Sequence, residues 1–466
     1  MPKRRKKCFW EKLDFQVVFL SYICVSSIYS TEIIWYNYLD HKRQNSLGSG
    51  VIVMIRRFID KDAQRLRSLA GKIAEISQKS SEHEKAALWC KHNELQTGQP
   101  LIFCDPENGW HEIITQEMLL CTDELARNWE FRLLKKIFSA EVMNDDVVTD
   151  ADFSVSDIFS DDGWGLKIEH IGEGGNKAYH VKQVLEDYDT DFAKIHFPKI
   201  RVDEAATERN LEIAHSVFDG LLNVKRYTMW WWSMGLTCNY IDLRGLEDFM
   251  CDLIVEPEWV HRMMELLCQG TLDRLDMLQE AGRLYQNNGN HYVGSGGFGF
   301  TDELPMVSPG SVTTMDMWGF TESQETVSVS PDMFGEFIFP YHKRIADRFG
   351  LNCCCCCEPF ERRWSYLRQL PRLRRVSCSP WSKRSAMPEL LGKDYISSIK
   401  LNPAPLARPI MNEDLVRAEL REALENSAGC VPELIMKDCH TLGGNPNNAV
   451  RWVQIAREEI DRISGM

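Results

Sequence analysis

From Pro100 to the C-terminus, short apolar runs alternate with longer amphipathic stretches, and no other feature restricts the fold as much. Strand then helix, repeated, is the pattern of an α/β fold with a mostly parallel sheet. The strand candidates are Pro100–Cys104, Asp145–Phe153, His291–Val293, Thr313–Met317, Leu351–Cys356, Arg375–Cys378, Tyr395–Ile399 and Glu433–Met436. Apolar spacing of three and four predicts helices over Gln116–Phe138, Glu204–Leu222, Glu256–Ala281, Pro331–Phe349, Phe360–Leu370, Ser385–Leu391, Asn412–Asn426 and Asn447–Ile463. A count of about eight or nine strands favours a closed barrel over an open sheet. No GxGxxG or P-loop motif follows a strand, so a nucleotide-binding fold gains no support.

The barrel is expected over residues 99–466. Residues 54–98 read as N-terminal helices, with Leu66, Leu69, Ile73 and Ile76 on one face. Residues 1–53 do not match the rest. They carry 8 Lys+Arg against 4 Asp+Glu, leaving 46 against 64 for the remainder. A basic run at Lys3–Lys7 precedes an apolar stretch, Phe15–Ile34, broken by Gln16, Ser21, Ser26, Ser27, Ser30 and Glu32. Three readings stand: a mis-assigned start with Met54 as the true beginning, a weak membrane anchor through residues 15–34, and a soluble extension. The chain's net charge of −14 and the lack of a basic stripe argue against a nucleic-acid partner. Its 16 cysteines are irregularly spaced in a long chain, which suits reduced thiols and a cytoplasmic location better than a disulfide framework.

In a barrel, chemistry belongs at the carboxyl ends of the strands. Polar clusters fall there: Gly294–Gly297, Gln324-Glu325, Cys356-Cys357-Glu358, Ser377/Ser379/Trp381, Lys400/Asn402 and Lys437-Asp438-Cys439-His440. The run of five cysteines, Cys353–Cys357, leads straight into Glu358-Pro359 and brings soft and hard metal ligands to one strand end. Each group also has a plain reading. Cysteine is often a small buried hydrophobe. Glu358 can serve the N-terminus of the following helix, and Lys437 can simply pair with Asp438. Gln324 and Glu325 can cap the helix at Pro331. Trp230–Trp232 alternate faces if they lie in a strand, setting Trp231 opposite its neighbours.

Gly294-Ser-Gly-Gly, Thr301-Asp-Glu-Leu-Pro305, Trp318-Gly-Phe320 with Ser323-Gln-Glu325, Val329-Ser-Pro-Asp-Met-Phe334, Cys356-Cys-Glu-Pro359, Ser379-Pro-Trp381 and Lys400-Leu-Asn-Pro403 occur in this order. As an ordered set they resemble the uroporphyrinogen decarboxylase superfamily, in its corrinoid-dependent methyltransferase branch, from about Arg56 onward. The resemblance implies a TIM (β/α)8 barrel. It also implies methyl transfer from a small methylated donor, an aryl methyl ether or a methylated amine, to a cobalt corrinoid (cobalamin) carried by a partner protein. Zinc is the metal it implies. Near relatives more often have glycine at position 355. The Arg-rich motif of the decarboxylases is missing, as is the His-x-Cys pair of the coenzyme-M-type relatives.

The leaving alkoxide or amine is poor and needs a Lewis acid or a proton donor. Expected metal ligands are Cys356, Cys357, Cys439 and His440, and Glu358, Lys437 and Asp438 are the expected catalytic residues. His111, Trp231, Gly296, Gln324 and Glu325 are placed against the substrate, where an aromatic wall also suits a quaternary ammonium. The rival readings are a porphyrin decarboxylase and a catalytically degenerate barrel that only binds. A homodimer is one assembly considered for such a chain.

Overall fold

A computed structural model describes residues 58–172 and 179–465. The expectations for residues 1–53 lie outside the described residues. Among the described residues no helix is long and apolar enough to cross a membrane.

Eight strands lie in two parallel ladders. Six form one sheet: β1 (Leu101–Cys104), β4 (Trp318–Thr321), β5 (Leu351–Cys354), β6 (Leu373–Cys378), β7 (Ile396–Lys400) and β8 (Val431–Met436). Their spatial order is β4-β5-β6-β7-β8-β1, so the first strand of the chain lies beside the last. The other two, β2 (Asp152–Val155) and β3 (Asn223–Arg226), pair only with each other. Among the described residues the ladder is therefore open, and a closed barrel is not seen.

Both faces of the six-stranded sheet are buried, which is why its strands read as continuous apolar runs rather than as alternation. Ile102, Cys104, Val376, Cys378, Ile399, Leu434 and Met436 join the large core under the helices. The opposite face carries Phe103, Cys353, Arg375, Ser377, Ser398, Glu433 and Ile435. A hairpin with an antiparallel bridge between Tyr292 and Phe298 packs on that face. Its tip fits tightly. A Cβ on Gly296 (φ +129°) would come within 2.6 Å of Ile435, and one on Gly297 (φ +114°) within 2.9 Å of the Arg375 guanidinium.

The ends of the ladder are closed by side chains. At the β1 edge, Asp146 accepts from the Ile102 N–H at 2.7 Å and Asp145 from the Cys104 N–H at 3.0 Å. Facing them, Arg132 donates to Ser154 O at 2.7 Å and Lys136 to Asp152 O at 2.8 Å. At the β4 edge, Asn287 meets both the N–H and the C=O of Trp318, at 2.8 and 3.0 Å. Helices α1 (Asp60–Ser77), α2 (Ser80–Asn93), α3 (Glu124–Phe138) and α4 (Glu204–Phe218) complete the N-terminal half. The predicted stripe of α1 (Leu66, Leu69, Ile73, Ile76) is buried with Trp129, Phe153 and Phe218.

Several predicted elements change for local reasons. The helix expected from Gln116 begins at Glu124, because Asp123 caps it by accepting from the Leu125 and Ala126 N–H groups. Thr313–Met317 is a tight turn, closed by the reciprocal cap of Thr313 and Asp316, and the strand starts at Trp318. Pro331–Phe349 splits at Ile338, where Pro340 opens a new helix because it lacks an N–H to continue the old one. Trp230–Trp232 are not in a strand. β3 ends at Arg226, and the chain then crosses toward β4, where the Met234 N–H reaches Phe320 O at 2.8 Å.

Candidate functional site at the strand ends

The carboxyl ends of β1 and β8 adjoin, and the backbone bends sharply just beyond each. Glu107 (φ 49°), Cys355 (φ 69°) and Asp438 (φ 61°) make up half of the six left-handed non-glycine residues among those described. Such a conformation costs of order 1–3 kcal/mol per residue and persists where the surroundings enforce it, often at functional sites. At Cys355 it ends the β5 strand and explains why glycine suits that position.

These bends aim polar groups at one another. Lys437 Nζ lies 3.6 Å from Glu107 Oε1 and 3.6 Å from Asp438 Oδ1. Its ammonium is also 5.5 Å from the centre of the Trp232 ring. Lys437 is 1% exposed. Lys437 Nζ, Glu107 Oε1, Asp438 Oδ1 and Trp232 Nε1 are all buried atoms without a hydrogen-bond partner. Three of the four face one another as ion pairs at 3.6 Å, which leaves the Trp232 N–H as the donor without a counterpart. Asp105, below them, accepts from Trp110 Nε1 at 2.7 Å and from the Glu107 N–H at 3.1 Å.

Burial raises the pKa of Glu107. Lys437 opposes that shift, Asp438 and Asp105 add to it, and the net direction is up. Burial works against the charge of Lys437, but Asp438, Tyr292 and Glu107 outweigh it and hold the ammonium well above the ordinary lysine range. The site thus holds a carboxyl that retains its proton beside a lysine that stays charged. Lys400, at the end of β7, is also buried and donates to Ser398 Oγ at 3.1 Å. Burial and then Lys437 lower its pKa to about 8.

Cys356 and Cys357 sit at the same rim, their sulfurs 3.7 Å apart, and Ser295 Oγ donates to Cys356 Sγ at 3.0 Å. Glu358 is turned away from such work. It accepts from the Ser323 and Cys356 N–H groups, both at 2.8 Å, and so ties the β4 and β5 ends together. Cys439 is buried, which pushes its thiol well up, and His440 is exposed. The Cys357 thiol is raised by its hydrogen bond to Cys356 and by burial.

Zinc needs three protein ligands and an open position. Among the described residues, the group with three ligand atoms mutually within 4.8 Å is Cys90–Glu94–Asp302, remote from the rim in sequence. At the rim the Cys356 and Cys357 sulfurs are 3.7 Å apart, and among the described residues no third ligand atom lies within 4.8 Å of both, so this arrangement does not fit a three-ligand zinc.

The remaining expected substrate residues are dispersed. His111 is exposed and stacks on Phe131, with ring centres 5.2 Å apart. Trp231 packs edge-on to Phe349. Gly296 serves the hairpin tip. Glu325 accepts from Thr237 Oγ1 at 2.8 Å, and Gln324 is buried beside it. The cap of the helix at Pro331 is Ser330, not Gln324 or Glu325. Glu107 does not stand out in the sequence, because a single carboxylate in a loop carries no pattern. The signal was its place, three residues past a strand.

A cleft of about 930 Å³ opens between the β2–β3 pair and residues 281–312, lined by Asp152, Lys225, Tyr227, Arg283, His291 and others. It contains none of the rim residues. Tyr227 and Tyr285 are shared with a narrow aromatic crevice lined also by Trp232 and Tyr292, and the Lys437 ammonium is 5.5 Å from the centre of that Trp232 ring. Buried charged groups without a hydrogen-bond partner converge at the rim, whereas the charged side chains of the large cleft pair with one another.

No family model matches the chain, and no curated protein matches it. Among solved structures, a methyltransferase from Methanosarcina mazei superposes with a TM-score of 0.45 and 13% sequence identity, over 79% of this chain and 96% of that one.

Proposed function

We propose that the chain is a methyltransferase that moves a methyl group from a small methylated donor to the cobalt corrinoid of a partner protein. The eight strands are read as a TIM (β/α)8 barrel opened at two seams, with its active mouth at the carboxyl ends. The observation that carries the reading is the pair formed by protonated Glu107 and charged Lys437, beside the orphaned Asp438 and Trp232 atoms. The ordered motifs that resemble the corrinoid-dependent branch supply the reaction class.

The reduced corrinoid, as acceptor substrate, supplies the nucleophile. The chain's task is the leaving group. As the bond from the methyl carbon to its oxygen or nitrogen breaks, the electron pair stays on that heteroatom. Glu107 gives it a proton, and Lys437 stabilises the carboxylate left behind. Trp232 and Tyr292 exclude water from the approach. No step runs through zinc.

The test is anaerobic incubation of the full chain with reduced cobalamin and a panel of aryl methyl ethers and methylated amines, followed by cobalamin absorbance. Methylation is expected with at least one donor, and Glu107→Gln should slow it by about 100-fold or more. Turnover with no donor, or an unimpaired Glu107→Gln, overturns the reading.

A further inference from the structure

β7 and β8 are neighbours; β7 ends in a buried lysine and another follows the last residue of β8: Lys400 is 3% exposed and Lys437 1%. Each ammonium has three N–H donors to place. Lys400 donates to Ser398 Oγ, and Lys437 has no hydrogen-bond partner. Among the described residues Lys437 has two carboxylates within ion-pair range and Lys400 has none. Ile435, two residues before Lys437, is the register partner of Lys400, so the two lysines leave the same face of the sheet and the charge of each counts against the other, a repulsion that an added anion relieves.

We propose that the rim between β7 and β8 binds a small carboxylate bridging Lys400 and Lys437, and that this carboxylate belongs to the methyl donor. The second clause rests on the methyl-transfer reading, and the first does not. A carboxylate offers two oxygens in one plane, one for each lysine, and charge-assisted bonds of this kind are the strong ones. A phosphate dianion suits the place less, since Asp438 stands 3.6 Å from Lys437 and repels a double negative charge more than a single one. Trp232 Nε1 is a further donor without a partner, and the ring itself offers an apolar wall to the rest of the ligand.

The experiment is calorimetric titration of the full chain, without corrinoid, by acetate, benzoate, 4-methoxybenzoate, anisole and inorganic phosphate. At least one carboxylate should bind. Anisole should not, and phosphate should bind more weakly. Lys400→Met should weaken the carboxylate by about 10-fold or more, with Lys400→Arg recovering part of the loss. Lys437→Met gives the same readout should Lys400→Met fail to fold. Binding by none of the three carboxylates, binding indifferent to both lysines, or phosphate binding as tight as carboxylate overturns the proposal. Lysine-dependent carboxylate binding without methyl transfer would refute the reaction and leave this site standing. Equal kcat/KM for anisole and 4-methoxybenzoate would do the reverse.

Discussion

The six-stranded sheet and the β2–β3 pair are made of the same element, a parallel strand, yet they satisfy their backbones in different ways. Inside the sheet each strand meets its neighbour's N–H and C=O groups along the ladder. Among the described residues the pair has no neighbouring strand, and Arg132 and Lys136 serve the carbonyls of β2 instead. The consequence is a division of labour among charges. On the pair, charged side chains are engaged in holding the edge and one another. On the sheet, the ladder serves the backbone itself, and side chains at the strand ends face one another, as Lys437 faces Glu107 and Asp438. Buried charge in the sheet should therefore matter greatly to stability, and surface charge on the pair very little.

The sharpest way to break this contrast is Glu433→Ala. Glu433 is fully buried, pairs with Arg375 at 3.0 Å and lies 3.4 Å from His92 Nε2. Removing it strands the Arg375 guanidinium in the interior, for an expected loss of about 3–5 kcal/mol in urea unfolding. A loss below about 1 kcal/mol would show that the sheet interior is wetter than its packing indicates. Next in size is Asn287→Ala. It frees the N–H and C=O of Trp318 at the β4 edge, and a cost of about 1–3 kcal/mol is expected from the same measurement.

How far these features could be read beforehand follows the same division. β5 to β8 announced themselves as apolar runs because both their faces are buried, and Lys437 and Lys400 stood out by standing at the ends of such runs. The β2–β3 pair was obscure. The sequence predicts β2 from Asp145, but Asp145 and Asp146 are edge caps, and the strand begins at Asp152. β3, with only Val224 apolar, has no run to detect. Glu358 shows the limit on the site. Its position at a strand end was right, but which N–H groups reach a carboxylate depends on how β4 and β5 finish, and that lies in backbone angles rather than in residue order.

Two carboxylates sharpen the comparison by pH. Burial would raise Glu433, but Arg375 and His92 outweigh it and lower the pKa from 4.5 to about 2. Its stability is present above pH 4.5 and is lost as pH falls toward 2. Asp145, at the β1 edge, goes the other way: burial dominates and lifts it from 3.8 to about 7. Its contribution is complete below pH 3.8 and declines as pH rises to about 7. Unfolding free energies measured across pH should show both slopes. Glu433→Gln should remove the acid one and Asp145→Asn the neutral one. If Asp145→Asn leaves the slope between pH 4 and 7 unchanged, Asp145 is not the buried cap described.

The smallest expected effect is also the most direct check on the pair. Lys225 joins β3 to Asp152 of β2 across a surface where Lys225 is 57% exposed and Asp152 30%. Water and salt screen such a pair, and ordering a long lysine side chain offsets much of the attraction, so Lys225→Ala should cost less than about 1 kcal/mol. The cost should shrink further in 1 M salt, where screening acts over about 3 Å. A loss comparable with that of Glu433→Ala would mean that the two strands depend on this contact as the sheet depends on its interior charge, and the contrast between the regions would disappear.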